Sequence, residues 1–414
     1  MSYFMKPLNK DIQILAQSPI RSATTRCNEL NGINLGQGVC DLPVQKAIKD
    51  AASAAIYNNQ NLYSDNRGVS ELRQALRHKI ANFNLIDVNP DNELLITHGA
   101  TGGYVSALKT LCDPGDEIIL FEPFYGYHRN IAETLGITVK TVSINLNDYA
   151  FSIDELKQQI SPKTKAIIIC TPNNPTGKVF TKDELNTIGQ LAIEQDLYVI
   201  TDEMYEYFTY PGFKHVSFAS LDERYWQRTI TLSGFSKVFN ITGWRLGYAY
   251  GPEELIVRMS QIQDLFYVCP VTPLQHAVAE ALKLPESYYH ELQDTFLHKR
   301  DLMVTTLRNI GFDVPNPQGA YYLLVDAKNG PLGQIDNLAS TLLEESKVAT
   351  VPGSAFYLDQ NKGHSQLRFC FAQGEDKINQ AIKKTLCLFQ KSHPLTYLAI
   401  KMAHSWAITN NNAA

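Results

Sequence analysis

The sequence has no CxxC pair among its seven cysteines, no internal repeat, no glycine/serine linker and no surplus of basic residues. Cys27, Cys40, Cys112, Cys170, Cys269, Cys370 and Cys387 are odd in number and scattered. That argues against a disulfide scaffold and a thiolate zinc site, and fits reduced thiols in a cytosol. No stretch of about 18 apolar residues occurs, and the start MSYFMKPLNKDIQ has no apolar core of signal-peptide length. The expectation is a soluble cytoplasmic protein without a membrane role. With 37 basic and 42 acidic residues the net charge is −5. Proteins whose main task is to grip nucleic acid or anionic membrane carry the opposite balance. Any anion must therefore be held by a local arrangement.

What is present is a globular composition, 44% hydrophobic and 19% charged over 414 residues, enough for a large core and more than one unit of about 150 residues. Short apolar runs typical of strands buried on both faces lie at Leu94–Thr97, Glu117–Phe121, Ala166–Cys170, Leu197–Thr201, Thr229–Leu232 and Leu246–Tyr250. Helical segments separate most of them, and the turn Asp113-Pro114-Gly115-Asp116 ends the helix read over Gly103–Leu111. Thr181 with Glu184 forms a capping-box start. The alternation implies an α/β protein with a mostly parallel sheet. After about Glu286 the texture changes to a smaller α+β unit with strand signals at Ala320–Val325 and Gln366–Phe371. From Ser392 the residues Leu395, Leu398, Met402 and Trp406 form a stripe compatible with a terminal helix.

Ligands of open parallel sheets bind at the carboxyl ends of strands, so the residues following each run carry the information. His98-Gly99-Ala100-Thr101-Gly102-Gly103 is a glycine turn into a helix, a phosphate site or simply a tight connection. Pro123-Phe124-Tyr125-Gly126-Tyr127 is core packing or a stacking surface for a flat ring. Thr171-Pro172-Asn173-Asn174-Pro175-Thr176-Gly177 is a rigid turn able to orient the Asn174 amide. Asp202, ending a buried strand, needs a cation or donor, with an arginine as the plain alternative. Lys237, in Ser233-Gly234-Phe235-Ser236-Lys237, is a solvated lysine or a desolvated nucleophile. Arg245 follows eight residues later. Together these are the parts that a pyridoxal phosphate site requires.

Asn173-Asn174-Pro175-Thr176-Gly177, Asp202-Glu203-x-Tyr205, and Ser236-Lys237 with Thr242-Gly243-Trp244-Arg245-Leu246-Gly247 resemble the class I/II pyridoxal-phosphate aminotransferases of fold type I. The likeness spans roughly Ser18 to Lys391 and is closest to the branch of kynurenine, glutamine, methionine and prokaryotic-type aspartate aminotransferases. It implies that Lys237 forms the internal aldimine and shuttles the substrate proton, with pyridoxamine phosphate as the half-way form. It implies that Asp202 pairs with the pyridinium nitrogen, that Asn174 and Tyr205 hold the ring oxygen, and that Tyr125 stacks on the ring. Arg245 and the N–H groups of Gly99, Ala100 and Thr101 are to hold the phosphate, and Arg368 and Gly38 the substrate α-carboxylate. Tyr63 is to reach the phosphate of a neighbouring subunit, making the active unit a homodimer.

The resemblance further implies that residues 1–40 join 286–391 in a small domain around a large domain at 41–285, with 392–414 as a tail. Where many relatives carry a phosphate-binding serine, this chain has Gly234, leaving Ser233, Ser236 or no hydroxyl to make that contact. Anions would be captured by two buried arginines and a helix start. Phe266 and Tyr267 suggest an aromatic pocket wall or ordinary core packing. The reaction implied is transamination of a neutral, aromatic or aspartate-like amino acid with an acceptor such as 2-oxoglutarate. A carbon–sulfur β-lyase, recognised by released thiol and ammonia, is the alternative on the same cofactor. A non-catalytic regulator is disfavoured, since no basic helix-turn-helix pattern precedes the cofactor domain.

Overall fold

The computed structural model of the chain describes residue 6, residues 18–329, residue 335 and residues 337–392. The stripe Leu395, Leu398, Met402 and Trp406 lies outside them. The strands are β1 (Ile33–Asn34), β2 (Leu94–Thr97), β3 (Glu117–Glu122), β4 (Thr138–Ser143), β5 (Thr164–Cys170), β6 (Tyr198–Asp202), β7 (Thr229–Gly234), β8 (Gly247–Tyr250), β9 (Tyr322–Asp326), β10 (Val348–Ala349), β11 (Val351–Pro352) and β12 (Gln366–Cys370). Seven of them form one sheet in the order β2-β8-β7-β6-β5-β3-β4. Every pairing from β7 to β4 is parallel, and only β8 runs against its neighbours. The α/β class with a mostly parallel sheet is thus as the sequence implies.

Alternation along each strand builds two apolar layers, because successive side chains point to opposite faces. On β5, Ile168 packs with Leu120, Ile200, Leu232 and Met259, while Ile167 and Ile169 pack with Phe121, Leu185, Ile188 and Val199 on the other side. At about 1.5–3 kcal/mol per buried aliphatic side chain, these layers hold the sheet rigid, and with it the row of loops at its carboxyl edge. The Thr181–Glu184 capping box is present, with both reciprocal bonds. The helix read from Gly103 starts earlier, at Gly99, directly after the strand–helix turn.

The sequence reading missed β4. Its TVKTVS has only two apolar residues, Val139 and Val142, and is only half covered at the sheet edge, so no apolar run marks it.

A second sheet has the antiparallel order β11-β12-β9, with Arg368 opposite Leu324 and Val351. The N-terminal segment enters this region: β1 pairs in parallel with β10, and Leu35 accepts the Cys370 N–H at 2.6 Å. The consequence for the site is that residues 34–38 and Arg368 meet although more than 300 positions separate them. Among the described residues no helix is long and apolar enough to cross a membrane.

Candidate active site

The carboxyl edge of the large sheet opens into a cleft of about 500 Å³ whose lining includes Gly38, Ala100, Thr101, Tyr125, Asn174, Asp202, Tyr205, Ser236, Lys237, Arg245 and Arg368. Strand ends bring these residues together. Tyr125 follows β3, Asn174 follows β5, Asp202 closes β6, Lys237 follows β7 and Arg368 lies within β12. Two expected residues are not part of that lining. Gly99 is the first residue of its helix, next to the lining residue Ala100, and Tyr63 is 83% exposed on the loop after the Lys46–Tyr57 helix.

Lys237 Nζ donates to the carbonyl oxygen of Gly38 at 2.8 Å and lies 5.7 Å above the Tyr321 ring. Burial lowers its ammonium pKa to about 8, assisted by Arg368 and Arg245 against the opposing pull of Cys370 and Asp202. Asp202 finds its partner not in an arginine but in His128, whose Nε2 stands 3.0 Å from Oδ2, while the Met204 N–H donates to Oδ1 at 3.1 Å. His128 escaped the sequence reading. It stands three positions after Tyr125, a spacing that shares one helix face, and its ring meets Tyr125 edge-on at 5.3 Å.

Arg368 is 1% exposed and almost fully committed. Nη1 donates to Asn174 Oδ1 at 2.8 Å and Nη2 to the Gly36 carbonyl at 2.5 Å, while the guanidinium is stacked over Tyr322 at 4.4 Å and Phe356 at 5.0 Å. Its buried Nε has no partner, which suits a site made for an anionic ligand. Asn174 accepts from Arg368 through its oxygen, and its NH₂ remains as the donor it can offer the cleft. The Tyr205 hydroxyl meets that of Tyr322 at 2.9 Å, and burial holds its proton on well above the usual phenol range. A β-carbon on Gly38 would lie 1.8 Å from the Tyr322 oxygen, so a larger residue there must displace that side chain.

At the other end of the cleft, Gly99, Ala100 and Thr101 form the first turn of their helix and no side chain caps it. Its leading N–H groups are therefore free to bind an anion. A β-carbon on Gly99 would stand 2.7 Å from Arg245 Nη2, and one on Gly247 would stand 2.6 Å from the Ala100 nitrogen. Glycine thus keeps backbone and guanidinium close enough to share one ligand. Arg245 is exposed, so of the two arginines expected to be buried only Arg368 is.

Gly234 ends β7. A β-carbon there would fall 2.8 Å from Met204 Cε and 3.2 Å from Gly247 Cα. Ser233 is turned away, its hydroxyl 3.2 Å from the Glu203 carbonyl oxygen and 3.0 Å from Glu206 Oε1, whereas Ser236 lines the cleft. Phe266 and Tyr267 do not line it. Phe266 is exposed and Tyr267 stacks on His98 at 4.6 Å.

Behind the Asp202–Tyr205 loop, Glu203, Glu206 and His215 present metal-ligating atoms within 4.8 Å of one another. The cluster already has its cation: Lys79 Nζ is 2.6 Å from Glu206, which also accepts from Asn84, Ser233 and Tyr248. It reads as a buried brace for the loop, not a metal centre.

The donor set fits pyridoxal phosphate: a desolvated amine, a hydrogen-bonded carboxylate, an aromatic at a strand mouth and a phosphate-sized cradle. The family model for aminotransferase class I and II matches residues 31–384. Aromatic-amino-acid aminotransferase 2 of Thermococcus litoralis is 35% identical over 381 residues, covering 91% of this chain and 97% of that one. The aspartate aminotransferase of Pyrococcus abyssi is 36% identical over 355 residues, 85% and 90% of the two chains. The solved structure of N-succinyldiaminopimelate aminotransferase from Mycobacterium tuberculosis superposes with a TM-score of 0.87 at 32% identity, over 91% of this chain and 99% of that one.

Proposed function

The chain belongs to the class I and II aminotransferases, and from that premise we propose that it moves the amino group of a neutral, aromatic or aspartate-like L-amino acid to 2-oxoglutarate or a similar 2-oxo acid, using pyridoxal 5'-phosphate anchored on Lys237. The observation that carries this reading is the convergence of Lys237, Asp202, Tyr205, Asn174 and Arg368 on one cleft. When bound, the cofactor supplies an aldehyde that takes the amino group and a ring that draws electrons from the substrate α-carbon.

The chain's residues do the rest. Arg368 and the Gly38 N–H hold the α-carboxylate, fixing which face of the α-carbon Lys237 meets. The Lys237 amine, whose hold on its own proton is weakened by desolvation, would carry the proton from the substrate α-carbon to the cofactor carbon that bore the aldehyde. Asp202, kept in place by His128 and the Met204 N–H, holds a proton on the ring nitrogen. Asn174 and Tyr205 donate to the ring hydroxyl oxygen, Tyr125 covers one ring face, and the 99–101 helix start with Arg245 and Ser236 takes the phosphate.

A diacid acceptor is supported by Arg21. It lines the cleft from the Pro19–Glu29 helix, and among the described residues its guanidinium has no hydrogen-bond or ion-pair partner. It is the cation for a distal carboxylate that no sequence motif marked.

A second copy as partner is supported by the exposed apolar side chains of Tyr57, Leu62, Tyr63, Leu265 and Phe266. The Tyr63 loop is tied to the Glu253–Tyr267 and Thr272–Ala281 helices, with Gln263 donating to the Asn66 carbonyl at 2.7 Å and Gln275 to Ser64 at 3.1 Å. Tyr267, next to Phe266, stacks on His98 at the start of the 99–111 helix, and Tyr63 is proposed to complete the neighbour's site. All seven cysteines are free, which supports a reducing cytosol.

The test is to load the protein with pyridoxal phosphate, reduce with borohydride and map the label. A label on Lys237 and loss of turnover in Lys237→Ala are expected; a label elsewhere, or turnover retained by the variant, refutes the assignment.

A further inference from the structure

Tyr322 touches three parts of the site at once. Its ring lies under the Arg368 guanidinium at 4.4 Å, its hydroxyl meets that of Tyr205 at 2.9 Å, and the same oxygen occupies the space that a side chain on Gly38 would need. It is 2% exposed, so none of these contacts is shared with bulk water. No local sequence signal announces it, because Tyr205 lies 117 positions away.

A phenol has one proton to give. If Tyr205 gives its proton to the cofactor ring oxygen, as proposed above, the bond between the two hydroxyls can be made only by the Tyr322 proton. Tyr322 then donates to the Tyr205 oxygen, and a hydroxyl that accepts a hydrogen bond becomes a better donor. The strength of that donation depends on Arg368, whose positive charge over the Tyr322 ring favours release of its proton. A carboxylate arriving on Arg368 neutralises part of that charge and weakens the whole chain.

We infer that Tyr322 is a positioning residue that couples occupation of the α-carboxylate site at Arg368 to the hydrogen bond Tyr205 makes with the cofactor ring oxygen. The inference rests on the reading of Tyr205 given above. The other titratable groups packed around the pair are Tyr125, Tyr321 and Cys370, with Lys237 and Asp202 across the cleft. None of them is hydrogen-bonded to both Arg368 and Tyr205, and Asn174, which accepts from Arg368, reaches the ring oxygen without passing through Tyr205.

The test is a pH titration of the visible absorbance of the cofactor-loaded enzyme in four forms: wild type, Tyr322→Phe, Tyr205→Phe and the double variant. Phenylalanine keeps the stacking on Arg368 and removes only the hydroxyl. A donor to the ring oxygen lowers the midpoint, so Tyr322→Phe is expected to raise it by about 0.5–1 pH unit, the worth of one hydrogen bond. In the Tyr205→Phe background the same change is expected to do nothing further, which a merely structural role would not produce. Adding 3-phenylpropanoate, a carboxylate with no amino group, is expected to raise the wild-type midpoint and to move that of Tyr322→Phe by less than half as much. If Tyr205→Phe moves the midpoint and Tyr322→Phe does not, or if Tyr322→Phe acts equally in both backgrounds, this inference falls while the Tyr205 reading stands. If neither variant moves it, both fall.

Discussion

The Arg368 guanidinium donates to the side-chain oxygen of Asn174 at 2.8 Å, joining β12 of the small sheet to the loop after β5 of the large one. One residue is proposed to hold the substrate and the other the cofactor ring, so their direct bond fixes the two ligands relative to each other. A planar fork is needed, because Nη1 is spent on Asn174 and Nη2 on Gly36.

Arg368→Lys is therefore not a conservative change. A single ammonium cannot serve Asn174, Gly36 and a carboxylate together, and disrupting a buried charged pair costs about 2–4 kcal/mol, or roughly 30- to 1000-fold in kcat/KM. Steady-state kinetics with saturating cofactor checks this. A loss below threefold would contradict the assignment.

Gly38→Ala places a methyl group on the Tyr322 hydroxyl. Overpacking of this kind costs about 1–3 kcal/mol, so the thermal midpoint falls and KM for the amino acid rises. Tyr322→Phe removes the colliding oxygen and recovers part of both losses. Additive losses in the double variant would contradict this geometry.

Much of the site was legible because the sheet is parallel. Strands buried on both faces are short apolar runs, and Asn174, Asp202 and Lys237 stand immediately beyond them, where glycine and proline mark the turns. What was not legible lies across units or at edges. Arg21 reaches the cleft only because the N-terminal helix docks there, and Tyr322 meets Tyr205 only because two sheets are apposed. β4 lacks an apolar run at its half-covered edge, and Phe266 was weighed as a pocket wall although it faces outward. In each case tertiary placement, not local pattern, decides the role.

Burial sets the pH at which the protein takes up its cofactor. The reactive form of Lys237 is the neutral amine, and a pKa lowered from 10.5 to about 8 makes that form abundant above pH 8 and scarce below it. The rate of colour development on mixing apoprotein with pyridoxal phosphate is expected to rise with pH and level off near 8. A rise continuing towards pH 10 would show an ordinary solvated lysine.

Arg21→Ala is expected to raise KM for 2-oxoglutarate by about tenfold, as for one charge-assisted contact, while leaving KM for a monocarboxylate acceptor such as pyruvate within twofold. Equal effects on both acceptors would remove Arg21 from side-chain recognition.

The central claim, that Lys237 and its neighbours carry out reversible amino transfer, is tested most directly by a single half-reaction. Cofactor-loaded enzyme is mixed with one amino acid at a time, without acceptor, while visible absorbance and released 2-oxo acid are followed. The account predicts that true donors bleach the yellow band with one 2-oxo acid released per site, that 2-oxoglutarate restores the colour, and that Lys237→Ala does neither. Continuous release of 2-oxo acid together with ammonia, without bleaching, would contradict it and identify a lyase.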